Sequence, residues 1–244
     1  MAEKKTHRKH FIPLESNPDV FTELVHKLGI SESLAFQDVL SLDDLELLAF
    51  IPRPVLALIL VFPTTEKYET KVAQEEAGVA AYDGAGEAEE VVYFKQTINN
   101  ACGLYAMLHA VSNGDARKYI GTQTIMSRLL DAAIPLKPEE RALAVEGVEG
   151  LEDAYASVAR KGDTEAPENA EDEVLFHYVC FVKSHKTGHL LQLDGARKGP
   201  LDLGVMQEDE DVLSEKGLSV IRGMVEVENS NNLNFGLMAL VNQD

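Results

Sequence analysis

The run Val55-Leu56-Ala57-Leu58-Ile59-Leu60-Val61-Phe62 constrains this chain more than any other stretch. It lies between Pro54 and Pro63 and is apolar throughout. It lacks the alternation of a strand with one wet face, so it predicts a central strand buried on both faces. The stretches 174–182, 190–194 and 235–241 are strands by composition. Helices are expected over 20–28, 42–48, 66–78, 120–130, 138–145 and 212–225, the first and last from apolar residues at helical spacing and 66–78 as a polar helix. In the first of these, Val20, Phe21, Leu24, Val25 and Leu28 share a face and Gly29 stops the helix. Residues 1–10 read as a basic, loose end, and the small acidic stretch 83–90 as a mobile loop. Residues 147–172 carry the weakest structural signal. A loop that long in a compact domain is usually functional or disordered, with room for a short helix near 151–158.

A second stretch points to chemistry. Val91-Val92-Tyr93-Phe94 reads as a strand, and Gln96-Thr97-Ile98-Asn99-Asn100-Ala101-Cys102-Gly103 leads from it into a helix. Leu104, Met107, Leu108 and Val111 give that helix an apolar face, Asn99 or Asn100 is placed to cap it, and Gly114 to end it. Cys102 then sits in the first turn, where the helix dipole favours thiolate, the nucleophilic form. A free cysteine is more often a small buried hydrophobe, so position alone does not decide its role. Gln96 adds weight. Its side-chain N–H and the backbone N–H of Cys102 can together form an oxyanion hole.

Composition limits the partners. With 41 Asp and Glu against 22 Lys and Arg, the net charge is −19. Phosphate neutralisation would have the wrong sign, so nucleic acid is not an expected partner, whereas a basic protein is. No apolar run reaches the ~20 residues of a membrane span. The first residues, Met-Ala-Glu-Lys-Lys, show no apolar signal region, so a cytoplasmic or nuclear place is expected. The length suits one large domain or two small ones. The two cysteines, Cys102 and Cys180, make no zinc site by themselves, and neither metal nor cofactor is expected.

The hairpin of 174–182 and 190–194 supplies a base. If Lys183 pairs with Gly188, His177 stands directly opposite Asp194, with Cβ atoms about 4.5–5.5 Å apart. A carboxylate there can orient the imidazole. The assembled set is Cys102 as nucleophile, His177 as base and acid, Asp194 as orienter and Gln96 as oxyanion donor. His109, two turns beyond Cys102, reads as a cation-tolerant residue near the helix C-terminus. His185 and His189 read as solvated hairpin residues, and Cys180 as a core thiol.

The stretch 96–103, the His177 strand, Leu193-Asp194-Gly195, Pro13-Leu14-Glu15-Ser16-Asn17-Pro18 and Pro52-Arg53-Pro54 with Phe62-Pro63 together resemble the ubiquitin C-terminal hydrolases. The resemblance covers almost the whole chain and matches the short members. It implies one catalytic domain over 1–244 with a papain-like α/β fold: a central, mostly antiparallel sheet, helices on both sides and a knotted backbone. It also implies that 147–172 is a crossover loop spanning the active site. The implied activity is cleavage after the C-terminal glycine of ubiquitin, from small or flexible leaving groups, by a monomer. Leu14, Glu15, Asn17, Asp19 and Asp38 are the candidate docking residues for ubiquitin. A peptidase for another ubiquitin-like protein would use the same triad, and a ubiquitin-binding module would not need all four catalytic groups. Two departures stand out: Leu104 occupies a position that is often Thr in the family, and Asp194-Gly195-Ala196-Arg197-Lys198-Gly199-Pro200 differs from the common form.

Overall fold

The structure is a computed structural model that describes residues 7–172, 174–228 and 234–244. The first six residues of the expected loose end lie outside the described residues. Further on, His7 Nδ1 donates to Thr97 O at 2.9 Å, and Lys9–His10 (β1) pairs in parallel with Ile98–Asn99 (β4). That end of the chain is therefore tied down beside the Gln96 stretch.

Helix α1 (Pro18–Leu28) begins at Asn17, whose side chain accepts from the N–H groups of Asp19 and Val20. It ends at Gly29, whose φ of 97° suits the left-handed cap. Strand β2 (Leu34–Asp38) was not anticipated; helix α2 (Leu45–Leu48) is shorter than expected. Strand β3 (Val55–Pro63) follows, and then α3 (Glu66–Glu75). Helix α4 (Cys102–Ser112) runs into a 3-10 turn, Gly114–Tyr119. Helices α5 (Ile125–Ala133), α6 (Pro138–Gly147) and α7 (Leu151–Ala156) come next. The chain closes with β5 (Phe176–Lys183), β6 (His189–Leu193), β7 (Leu201–Val205), α8 (Glu215–Glu228) and β8 (Gly236–Asn242).

The main sheet has six strands in the order β2-β8-β3-β5-β6-β7, and every pairing in it is antiparallel. Strand β3 lies between β8 and β5, which is why its side chains find apolar cover on both faces. Ala57, Ile59 and Val61 pack with α1 and α4, while Leu58, Leu60 and Phe62 pack with Leu218 and Ile221 of α8. Each such fully buried aliphatic side chain contributes ~1.5–3 kcal/mol relative to exposure. The chain reaches β8 last yet inserts it between β2 and β3, so the sheet closes only when the C-terminus arrives.

Three expectations need correction. The stretch 91–94 is not a strand. It is extended and buried, and side chains rather than a ladder serve its backbone. Asn113 exchanges hydrogen bonds with both Val92 N–H (2.8 Å) and Val92 C=O (3.0 Å). His109 Nε2 accepts from Phe94 N–H at 2.9 Å, and Arg141 donates to Tyr93 O at 2.9 Å. The acidic stretch 83–90 is anchored at its end by Glu89, which pairs with the fully buried Arg141 at 2.6 Å. Residues 201–205, expected as loop, form the edge strand β7.

Candidate active site

Cys102 opens α4, half-buried at the end of the sheet where β3 stops and β5 begins. Neither Asn99 nor Asn100 caps this helix. The N-cap is Ala101, with no side-chain hydrogen bond, and the first-turn N–H groups stay available to an incoming oxyanion. Gln96 lies six residues before Cys102, just ahead of β4. Its Nε2 donates to Ile98 O at 3.0 Å, which orients the amide and leaves its second N–H to be given elsewhere. Its backbone N–H donates to Gly195 O at 2.8 Å. A Cβ on Gly195 would come within 2.9 Å of Gln96 Cβ, so only glycine allows this approach.

His177 and Asp194 meet, but not in the expected register. The hairpin closes on Ser184 and His189, and Cys180 pairs with Leu193, so the strands are offset by two residues from direct opposition. An even offset keeps both side chains on one face, as diagonal neighbours. His177 Nε2 lies 2.8 Å from Asp194 Oδ1. The other ring nitrogen is not engaged by Asp194, and the Cys102 sulfur is among the groups that raise the His177 pKa.

Asp194 is almost fully buried. Its Oδ1 also accepts from Ala196 N–H at 2.9 Å, and its Oδ2 from the Tyr68 hydroxyl at 3.3 Å. Burial pushes this carboxyl up, but His177, the Ala196 N–H and Arg197 outweigh it and hold the pKa below the ordinary value. Burial pulls His177 down, while Asp194 and the Cys102 sulfur more than reverse this and raise it well above the ordinary value. An imidazolium beside the sulfur stabilises negative charge there and has a proton to deliver. The aromatic wall is Phe62, edge-on to His177 with centroids 6.1 Å apart and to Tyr68 at 4.8 Å.

A cleft of about 630 Å³ opens in front of Cys102. Leu14, Glu15 and Asp38 line it from one side, and Ala159, Lys161, Thr164 and Pro167 from the other. Of the candidate docking residues, Leu14 is buried and its carbonyl accepts from Tyr178. Asn17 is spent on capping α1, and Asp19 is exposed in its first turn. Burial, then the charge of Asp19, pushes the Asp38 carboxyl up. Glu15 is already engaged by residues 163 and 164. Residues 147–172 are only partly a loop, because α7 occupies 151–156; the irregular crossing runs from 157 onward.

The profile of the ubiquitin carboxyl-terminal hydrolases of family 1 matches residues 11–226. The chain belongs to that family. It is 32% identical to ubiquitin carboxyl-terminal hydrolase 3 of Arabidopsis thaliana, over 98% of this chain and 97% of the relative. It is 34% identical to the hydrolase YUH1 of Saccharomyces cerevisiae, over 94% of each. The catalytic domain of Trichinella spiralis UCH37, solved bound to ubiquitin vinyl methyl ester, shares the fold with a TM-score of 0.73 at 22% identity, covering 99% of this chain and 97% of that one. This ubiquitin carboxyl-terminal hydrolase is thus a cysteine peptidase of α/β fold.

Several residues that build the hydrolase site escaped the sequence reading. Tyr93 donates its hydroxyl to Asp194 O at 2.9 Å and Arg197 O at 2.6 Å, pinning the loop that carries the carboxylate. His109 is not a cation near solvent. It is fully buried, stacks on Tyr93 and is pushed by burial down to about 3, so it stays neutral and accepts from Phe94 N–H. Its place seven residues after Cys102, with Asn113 four residues further at the end of α4, was the available signal: one lies on the helix, the other caps it, and together they hold the strand-like segment that leads to Gln96. Cys180 is buried in β5, and burial pushes its thiol up, as suits an inert core residue.

Proposed function

We propose that this hydrolase cleaves the bond following the C-terminal glycine of ubiquitin through a thioester on Cys102. The observation that carries this reading is the His177–Asp194 contact at 2.8 Å, with Cys102 at an uncapped helix N-terminus and raising the His177 pKa. His177 takes the thiol proton, and the sulfur attacks the glycine carbonyl. The oxyanion is received by the Gln96 amide and the first-turn N–H groups of α4. Imidazolium protonates the departing amine, and the C–N bond breaks. Water, deprotonated by His177, then hydrolyses the thioester and returns the thiol. Asp194 keeps the imidazole in one tautomer and orientation throughout.

The exposed Asp19 and the nearby Asp38 suit a cationic tail entering the cleft, alongside Leu14. The crossing from 157 to 172 walls the cleft, so leaving groups are small or flexible. A reducing compartment, cytoplasm or nucleus, keeps Cys102 a thiol. The test is incubation with ubiquitin bearing a C-terminal vinyl methyl ester. A covalent adduct on Cys102 is expected, lost in Cys102→Ala and kept in Cys180→Ala. No adduct, or one that persists without Cys102, overturns the reading.

A further inference from the structure

β6 ends one residue before Asp194, so the carboxylate that orients His177 stands in a loop rather than in the sheet. Its contacts divide it in two. His177 Nε2 and the Ala196 N–H share Oδ1, at 2.8 Å and 2.9 Å, and the Tyr68 hydroxyl donates to Oδ2 at 3.3 Å. On the main chain, the Tyr93 hydroxyl reaches Asp194 O at 2.9 Å and Arg197 O at 2.6 Å. The last side-chain torsion of an aspartate is broad. Contacts on one oxygen alone leave the carboxylate plane free to swing, whereas donors on both oxygens hold it.

The two tyrosines come from separate elements. Tyr68 is half-buried in the first turn of α3, where the Thr65 hydroxyl accepts from its N–H at 3.2 Å, and its ring meets Phe62 edge-on. The end of α3 is tied to the same loop: Glu75 accepts from the Arg197 guanidinium at 2.7 Å, and Glu76 from the Lys198 N–H at 2.7 Å. Tyr93 is buried, and its ring stacks on His109 with centroids 5.5 Å and planes 12° apart. His109 belongs to α4, the helix that Cys102 opens. One phenol thus links the helix of the nucleophile to the loop of the carboxylate. Burial, then the charge of Asp194, pushes both phenols above their ordinary value, so both remain protonated donors.

We propose that Tyr68 and Tyr93 are positioning residues that grip Asp194 at its carboxylate and at its carbonyl, and so hold the His177 imidazole in place for proton transfer with Cys102. Neither touches the reacting atoms. Tyr68 keeps the carboxylate from turning away from His177, and Tyr93 sets where the loop stands relative to α4. The two hydroxyls act through one residue, so their effects are coupled. The proposal takes its substrate from the ubiquitin reading above, and one arm of the test needs no ubiquitin.

The variants are Tyr68→Phe and Tyr93→Phe, which keep the ring contacts with Phe62 and His109 and remove only the hydroxyls. With ubiquitin carrying a small fluorescent amide at its C-terminus, and at a temperature well below each Tm, kcat should fall about fivefold to fiftyfold in each, since small misplacements of a reacting group are costly. KM should stay within about twofold, because the lost contacts are not made to substrate. In the double variant, kcat should fall by less than the product of the two single losses. Alkylation of Cys102 by iodoacetamide at neutral pH should slow by about threefold or more in each single variant, as thiolate formation depends on His177. A lowered Tm with wild-type kcat and wild-type alkylation would make the hydroxyls structural only and overturn the proposal. So would an effect confined to KM, or single losses that multiply fully in the double variant. Failure of the wild type on the ubiquitin amide would sink the ubiquitin reading instead, and the alkylation rates would still decide the grip on Asp194.

Discussion

Arg141→Leu is expected to destabilise this hydrolase strongly, although Arg141 never touches the reacting atoms. Its guanidinium is fully buried and donates to Glu89 Oε1 (2.6 Å), Leu136 O (2.8 Å), Tyr93 O (2.9 Å) and Ala133 O (3.0 Å). The Glu89 side chain is only 4% exposed. Removing the cation leaves that carboxylate buried without its charge partner, at a cost of about 3–5 kcal/mol. For a chain of this size each kcal/mol lowers Tm by about 2–4 °C, so a midpoint of about 4 kcal/mol means a drop of about 8–16 °C. Urea unfolding followed by circular dichroism gives the free energy, and calorimetry gives Tm. The double variant Arg141→Leu with Glu89→Leu should recover at least about half of the loss, since an apolar pair of similar volume avoids the unpaired charge. The reasoning is refuted if the single variant stays within about 1 kcal/mol of wild type, or if the double variant is no more stable than the single.

The remaining expectations concern the site. Gln96→Ala should lower kcat by about 10²- to 10³-fold with little change in KM, because the oxyanion exists only in the transition state; an effect confined to KM would make Gln96 a substrate-binding residue. For pH, the raised His177 value sets the sign. Its stabilising contribution is complete below the unfolded value, about 6.5, and is lost as pH rises through the folded value. The Tm advantage of wild type over His177→Gln should therefore shrink from about pH 6 toward alkaline pH, and an advantage that grows contradicts the pairing.

The sequence by itself determined the elements and the chemistry that local rules govern. An uninterrupted apolar run from Val55 to Phe62 must be buried on both faces, and it is. Cys102 heads a helix because the apolar spacing begins there, and Gln96 precedes it by a distance the chain spans locally. The pairing of His177 with Asp194 survived a two-residue error in register because the strand period is two, so an even offset preserves the face.

What tertiary structure alone decided were the groups whose partners lie far along the chain. Residues 91–94 look like a strand, but among the described residues no strand pairs with them; Asn113, His109 and Arg141 supply the hydrogen bonds instead. His109 shows its neutral, buried state only once Tyr93 stacks on it. Glu15 looked like a surface charge waiting for a basic partner, and the crossing, some 150 residues later, takes its carboxylate. Local periodicity reports which way a side chain points. It carries no information about which distant backbone will arrive to satisfy it, because that depends on how the layers close around the sheet.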